Sequence, residues 1–253
     1  MIIRKSEAEI AKMARAGAIL RGCLDMLADE VRVGITTKEL DLQAEKYIRE
    51  HGGIPTFKGY RGFPGSICAS PNDMVVHGIP DKTRLEDGDI LGVDVGVTLE
   101  GYVADGAVTY PVGSIEDVAK RLLAVTEESL RKGIEQCRVG NRVGDISHAV
   151  QTYVEANGFS VVRSMVGHGV GREMHEDPQV PNFGPAGVGP QLRAGMVLAI
   201  EPMVNVGGHE VEVGGDSWAI YTKDGSLSAH FEHTVAVTER GPRVLTVLPQ
   251  GRG

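Results

Sequence analysis

Five residues carry the chemistry that is most readily read from the sequence: Asp94, Asp105, His168, Glu201 and Glu232. Asp94 lies within Leu91-Gly92-Val93-Asp94-Val95-Gly96, and Glu201 follows Val197-Leu198-Ala199-Ile200. Asp105 opens onto Ala107-Val108-Thr109-Tyr110, and Glu232 stands between Phe231 and His233-Thr234-Val235-Ala236-Val237. A carboxylate set among strand-like apolar residues costs several kcal/mol to bury unless a cation compensates it. Four such acids cannot neutralise one another, because like charges repel. An oxygen-rich set with one imidazole suits Mn, Fe(II), Co or Zn rather than a thiolate zinc site. Four carboxylates also exceed what one divalent ion needs, whereas two ions bridged by two of them balance the charge. Such a pair suits metal-assisted hydrolysis, with an activated water and a clamped tetrahedral intermediate.

Two glycine-rich segments bring further histidines, Val76-His77-Gly78-Ile79-Pro80 and Gly167-His168-Gly169-Val170-Gly171-Arg172-Glu173-Met174-His175. Glycine on both sides of His168 allows close backbone approach to a ligand. His77 and His175 occupy matched places, so both could face one cleft as donors to a developing oxyanion. Other motifs fail. Gly167-x-Gly169-x-Gly171 lacks the dinucleotide spacing, and Gly215-Asp216-Ser217-Trp218-Ala219 ends in alanine without the helix a nucleophile elbow needs.

The elements that must position these groups repeat. Val33-Gly34, Leu40, Tyr47-Ile48 and Gly52 are matched in order by Val139-Gly140, Ile146, Tyr153-Val154 and Gly158. Leu85, Gly88, Leu91, Val93 and Asp94 are matched by Leu192, Gly195, Leu198, Ile200 and Glu201. Ser66, His77 and Pro80 are matched by Ser164, His175 and Pro178. Two similar αβ halves would bring Asp94 and Glu201, each at the end of an apolar strand, to a pseudo-twofold axis. Helices are predicted over Ser6–Glu30, Thr37–Glu50, Ser114–Gln136 and Gly144–Asn157, with Ser6 and Glu9 forming a capping box. Strands are predicted at Ser66–Ala69, Ile90–Val97, Ala104–Val112, Ser160–Val166, Met196–Val204, Trp218–Thr222 and His233–Thr238.

Composition narrows the class. The 253 residues carry 26 Lys+Arg against 34 Asp+Glu, a net charge of −8 that disfavours sequence-independent nucleic-acid binding. No run approaches the ~18 apolar residues of a membrane span, and the charged Met1–Glu7 segment lacks a signal-peptide core. Cys23, Cys68 and Cys137 form no CxxC, so neither a disulfide scaffold nor a zinc ribbon is expected, and a reducing cytoplasmic setting is. The 34 glycines are about twice the average share and imply many tight turns and close approaches.

Together, Val76-His77-Gly78-Ile79-Pro80, Asp94 with Asp105 eleven residues on, Gly167-His168-Gly169-Val170-Gly171, Ala199-Ile200-Glu201-Pro202-Met203 and Phe231-Glu232-His233-Thr234 resemble the methionine aminopeptidases end to end. The resemblance implies an α/β pita-bread fold, with two pseudo-twofold halves around a curved antiparallel sheet. One catalytic domain would span 1–253, its halves near 1–112 and 113–253. Asp94 would bind one of two divalent ions and His168 the other, with Asp105 and Glu232 bridging. Glu201 would ligate the second ion and accept the proton of the attacking water. His175 would stabilise the tetrahedral intermediate, and His77 would contact the scissile amide. Tyr60, Phe63, Cys68, Met174 and Trp218 would line the methionine pocket, with Phe57 nearby; core packing accounts for these apolar residues equally well.

His168 lies 33 residues before Glu201, and Glu201 lies 31 before Glu232, spacings that resemble compact bacterial type I enzymes. Departures are Met174, where an aromatic is common, and Val103-Ala104 in place of a more polar pair. The implied substrates are nascent chains or short peptides with N-terminal methionine and a small second residue. Transient ribosome association follows from the family's role, and a monomer without nucleic-acid or membrane partners is expected. The alternatives are a creatinase, prolidase or aminopeptidase P relative, or a non-catalytic homologue of the same fold.

Overall fold

A computed structural model describes residues 1–248; the predicted domain limit at Gly253 lies outside the described residues. The first half runs α1 (Glu7–Glu30), α2 (Thr37–Glu50), β1 (Ile54–Pro55), β2 (Ile67–Pro71), β3 (Met74–Val76), β4 (Ile90–Leu99) and β5 (Tyr102–Pro111). The second runs α3 (Asp117–Glu135), α4 (Val143–Ala156), β6 (Ser160–Val161), β7 (Gly167–Gly169), β8 (Glu176–Val180), β9 (Val197–Ile200) and β10 (Met203–Asn205). It continues through β11 (Val211–Val213), β12 (Ile220–Thr222), β13 (Ser228–His230), β14 (His233–Thr238) and β15 (Gly241–Val244).

Both leading helices start where their caps dictate. Ser6 Oγ accepts from Glu9 N while the Glu9 carboxylate accepts from Ser6 N, and Thr36 and Glu39 repeat the arrangement at α2. The β4–β5 hairpin turns at Glu100 and Gly101, both with positive φ (50° and 76°). That is the two-residue geometry whose twist matches flanking strands, and glycine enters it without steric cost.

Ladder register shows the duplication. Strand β4 pairs antiparallel with β1, β2 and β5; β9 and β10 together pair with β6, β7, β13 and β14 in corresponding places. Ile54 opposes Thr98 as Ser160 opposes Asn205, and Asp94 opposes Ala107 where Glu201 stands near Glu232. The two-residue alternation of strands then sorts the side chains. Leu91, Val93, Val95 and Val97 face α1 and α2 in one buried core; Leu198, Ile200, Val235 and Val237 face α3 and α4 in another. Asp94, Asp105, Thr109, Glu232 and Thr234 consequently share the opposite, concave face.

The halves meet along a short seam. Glu232 N donates to Ala107 O at 2.9 Å and Ala107 N to Glu232 O at 3.3 Å. On either side a threonine hydroxyl takes over. Thr109 Oγ1 donates to His230 O and accepts from His230 N; Thr234 Oγ1 does the same for Asp105. These four bonds span 2.7–2.9 Å, and both threonines are buried.

The predicted helices form, and several predicted strands are redrawn. Asp94 lies mid-strand rather than at a strand end, and Asp105 lies inside β5 rather than at its start. Met196–Val204 divides at Glu201-Pro202, because Pro202 has no N–H to continue the ladder. Glu232 likewise falls in the break between β13 and β14. Only Ser160–Val161 of the Ser160–Val166 prediction pairs, while Gly167–Gly169, outside the predicted strands, is a strand.

The seam gives a test. Thr234→Val removes a hydroxyl that serves two buried backbone groups, and each group left unpaired costs about 1–3 kcal/mol. Urea unfolding of the metal-free protein should show a lower midpoint with unchanged slope. Thr109→Val should resemble it, and wild-type midpoints for both would remove the seam's energetic role.

Candidate metal centre

The concave face opens into a cavity of about 200 Å³ that all the predicted site residues line. Its floor holds Asp94 from β4, Asp105 from β5, His168 from β7, Glu201 after β9 and Glu232 before β14. Ligand atoms of Asp105, His168 and Glu232 all lie within 4.8 Å of one another. His168 Nε2 is 3.6 Å from Asp105 Oδ2 and 3.5 Å from Glu201 Oε1. Its Nδ1 lies 2.9 Å from Gly169 O, so a proton there leaves Nε2 bare toward the acids. A Cβ on Gly167 or Gly169 would collide with the carbonyls of Ala199 or Asp177, which is why glycine flanks this histidine.

Burial dominates the electrostatics. It pushes Asp105 up to about 7. It raises Asp94, Glu201 and Glu232 well above the usual carboxylate range, with neighbouring acids adding to the rise. Burial and His175 press His168 down to about 4, so its ring is neutral and able to ligate. Among the described residues, the ion-pair partners of these acids are the histidines His168 and His230, with no Lys or Arg beside them. Buried Asp94 Oδ1, Asp105 Oδ1 and Glu232 Oε1 have no hydrogen-bond partner among the described residues. Unpaired acceptors around a neutral imidazole are a donor set that fits divalent cations.

The rim supplies directional and apolar groups. Tyr60 Oη is 2.8 Å from His175 Nδ1, and the His175 ring lies 4.3 Å from that of His168. His77 is half-buried with φ 63°, a backbone state rare outside glycine and typical of functional strain. Burial lowers both rim histidines below the ordinary imidazole value; His175 adds to this at His77, as Arg61 does at His175. Phe57, Phe63, Cys68 and Met174 form one apolar cluster with Tyr60 and Trp218 against it. Phe63 and Trp218 meet edge-on at 5.2 Å. Met165, Val166 and Arg61 also line the cavity and were not anticipated. Nor was His230, whose buried ring, pressed down to about 3 by burial and His77, stands behind Glu201 and Glu232. Residue types along the chain do not mark it; its place shows only in the ladder, where Met203 opposes His230 as Gly96 opposes Asp105.

This geometry recurs in known proteins. The sequence profile of metallopeptidase family M24 matches residues 11–239. The methionine aminopeptidase of Clostridium perfringens is 55% identical over 248 residues, 98% of this chain and 100% of that protein. The chain belongs to the methionine aminopeptidases of metallopeptidase family M24. Methionine aminopeptidase 1 of Bacillus subtilis is 54% identical, over 97% of this chain and 99% of that one. The crystal structure of methionine aminopeptidase from Rickettsia prowazekii superposes with a TM-score of 0.96 at 41% identity, covering 98% and 100% of the two chains. A prolidase from Pyrococcus horikoshii shares the fold at a TM-score of 0.78 and 22% identity. This chain spans 65% of that protein, which carries additional sequence. The predicted α/β pita-bread fold and family agree with these matches, and the donor set fits the divalent metals of M24 metallopeptidases.

The raised carboxyl groups make stability of the metal-free family member fall as pH rises. Asp105 binds its proton more tightly folded (about 7) than at the ordinary 3.8, so the native state holds more protons between those values. The contribution of Asp105 to stability then decreases with pH across that window. Burial acts oppositely on His168 and His230, held at about 4 and about 3, so below pH 6.5 their contribution rises with pH and offsets part of the loss. Chelated protein should therefore melt at progressively lower temperature from about pH 6.5 to 8, and divalent ion should reverse the loss. A melting temperature indifferent to pH and ion would contradict the assignment of an uncompensated acid cluster.

Proposed function

We propose that this chain removes N-terminal methionine from new chains or short Met-peptides whose second residue is small. The observation that carries the reading is the junction of an oxygen-rich donor set with one apolar pocket. Asp94, Asp105, His168, Glu201 and Glu232 would hold two divalent ions. Bound there, divalent ions supply Lewis-acid polarisation of the scissile carbonyl and a water acidified toward neutrality.

The chain's own groups do the rest. Phe63, Cys68, Met174, Trp218 and Tyr60 bury the methionine side chain, with Phe57 behind. Asp94 lies where a free α-amino group would be read, which would restrict cleavage to the first peptide bond. Glu201, oriented toward His168 through Oε1, takes the proton of the attacking water and returns it to the leaving amine. His175 donates to the developing oxyanion, and its Nδ1 contact with the Tyr60 hydroxyl fixes the ring for that task. His77 faces the cavity beside it and steadies the scissile amide. Limited space beyond the first bond favours alanine, glycine or serine at the second position.

A reducing cytoplasmic setting near the ribosome and a monomeric state complete the reading. No helix among the described residues is long and apolar enough to cross a membrane, and the acidic balance disfavours nucleic acid.

Met-Ala-Ser hydrolysis with chelation and add-back of Co(II), Mn(II), Fe(II) or Zn(II) tests this. Chelation should abolish methionine release and ion should restore it. Met-Leu-Ser should be a poor substrate, and Glu201→Ala should lower kcat by about 10²–10⁴-fold. Methionine release that survives chelation, or an active Glu201→Ala protein, would overturn the reading. Faster cleavage before proline would favour a prolidase-like activity.

A further inference from the structure

His230 has no part in that reaction, yet its ring stands behind two of the carboxylates, Glu201 and Glu232. It is 4% exposed, and Nε2 has no hydrogen-bond partner among the described residues. That atom lies 3.8 Å from Glu201 Oε2 and 3.9 Å from Glu232 Oε2. Glu201 Oε1 turns the other way, 3.5 Å from His168 Nε2, and Glu232 Oε1 is one of the unpartnered buried acceptors. The two glutamates therefore present one oxygen each to His230 and have another free. Closing the gap to the ~2.9 Å of an N–H···O bond takes only a small rotation of either carboxylate.

The duplicated register explains why this position is privileged. Met203 opposes His230 as Gly96 opposes Asp105, so His230 is the pseudo-twofold counterpart of Asp105. Each is clasped at N–H and C=O by the threonine of the other half, Thr109 for His230 and Thr234 for Asp105. The first half uses this place for an acceptor that joins the donor set. A fifth carboxylate in the second half would add charge to an acid-rich cavity. An imidazole there offers a donor instead.

We propose that His230 is a positioning residue for the metal-binding carboxylates. Its Nε2–H holds Oε2 of Glu201 and Glu232 and so turns their Oε1 atoms toward the ions. Partners of this kind behind metal ligands typically change metal affinity or activity 10–100-fold when removed. The inference rests on the ligand assignment proposed above, and its test separates the two.

His230→Leu keeps apolar bulk without a donor, whereas His230→Gln restores an N–H at similar reach. Co(II) is titrated into each metal-free protein by calorimetry and visible absorption, with Asp105→Ala alongside. His230→Leu should bind Co(II) about 10–100-fold more weakly with an altered spectrum, and His230→Gln should recover most of the affinity. For Met-Ala-Ser, kcat should fall in His230→Leu with KM little changed. Wild-type Co(II) affinity in His230→Leu, beside weakened binding in Asp105→Ala, overturns the positioning role; wild-type affinity in Asp105→Ala overturns the ligand assignment itself. Imidazole ¹⁵N spectra of wild-type protein read the tautomer directly, with the His230 signal assigned by its absence from His230→Gln. A protonated Nε2 supports the proposal, and a bare Nε2 with its proton on Nδ1 overturns it.

Discussion

The structure is arranged around one electrostatic debt: four carboxylates held in an apolar cleft with, among the described residues, no Lys or Arg beside them. Ionised and unpaired, such groups would be among the most destabilising features a domain can carry. Two states resolve the conflict. Without cations the acids keep their protons, which is what their raised pKa values describe. With divalent cations the charge is matched, and the same low dielectric that penalised the acids strengthens ion binding. A cleft built to bind strongly in one state is costly in the other.

The duplicated scaffold makes that tension tolerable. Period-two alternation in β4, β5, β9 and β14 sends aliphatic side chains to the helices and polar ones to the concave face. The cores beneath α1–α2 and α3–α4 thus support the site without sharing its charges. The Ala107–Glu232 pair and the two threonine clasps fix the relative position of the halves where the donors converge. Symmetry is kept in the backbone and broken in the side chains. Asp94 and Glu201 match as acids, while Asp105 and His230 do not match in kind, giving one acceptor and one donor at related places.

Most of the site was legible in the sequence because its residues violate local expectation. An acid between Val93 and Val95, or one following Ile200, stands out against apolar neighbours, and Gly-His-Gly at 167–169 marks close packing. Four helices were legible because helical spacing of apolar residues is a local property, as are the capping boxes that start α1 and α2. Short strands were not. Strands β3, β7 and β13 have three residues each, too few for a period to emerge, and exist only through distant partners. The break at Glu201-Pro202 could have been anticipated from proline alone. His230 escaped because its counterpart is an aspartate, so matching residue types along the chain could not align them; only ladder register does. The apolar pocket was legible only by family resemblance, since Phe63 or Trp218 reads equally well as core until Phe57, Cys68 and Met174 are seen around one cavity.

The central claim is that cations displace protons from buried carboxyl groups at this site. Calorimetric titration of Co(II) into metal-free protein at pH 6.5, in buffers of different ionisation enthalpy, counts the protons released. The account predicts two ions bound and at least one proton released per chain, with release diminished in Asp105→Asn. Binding without proton release would contradict it.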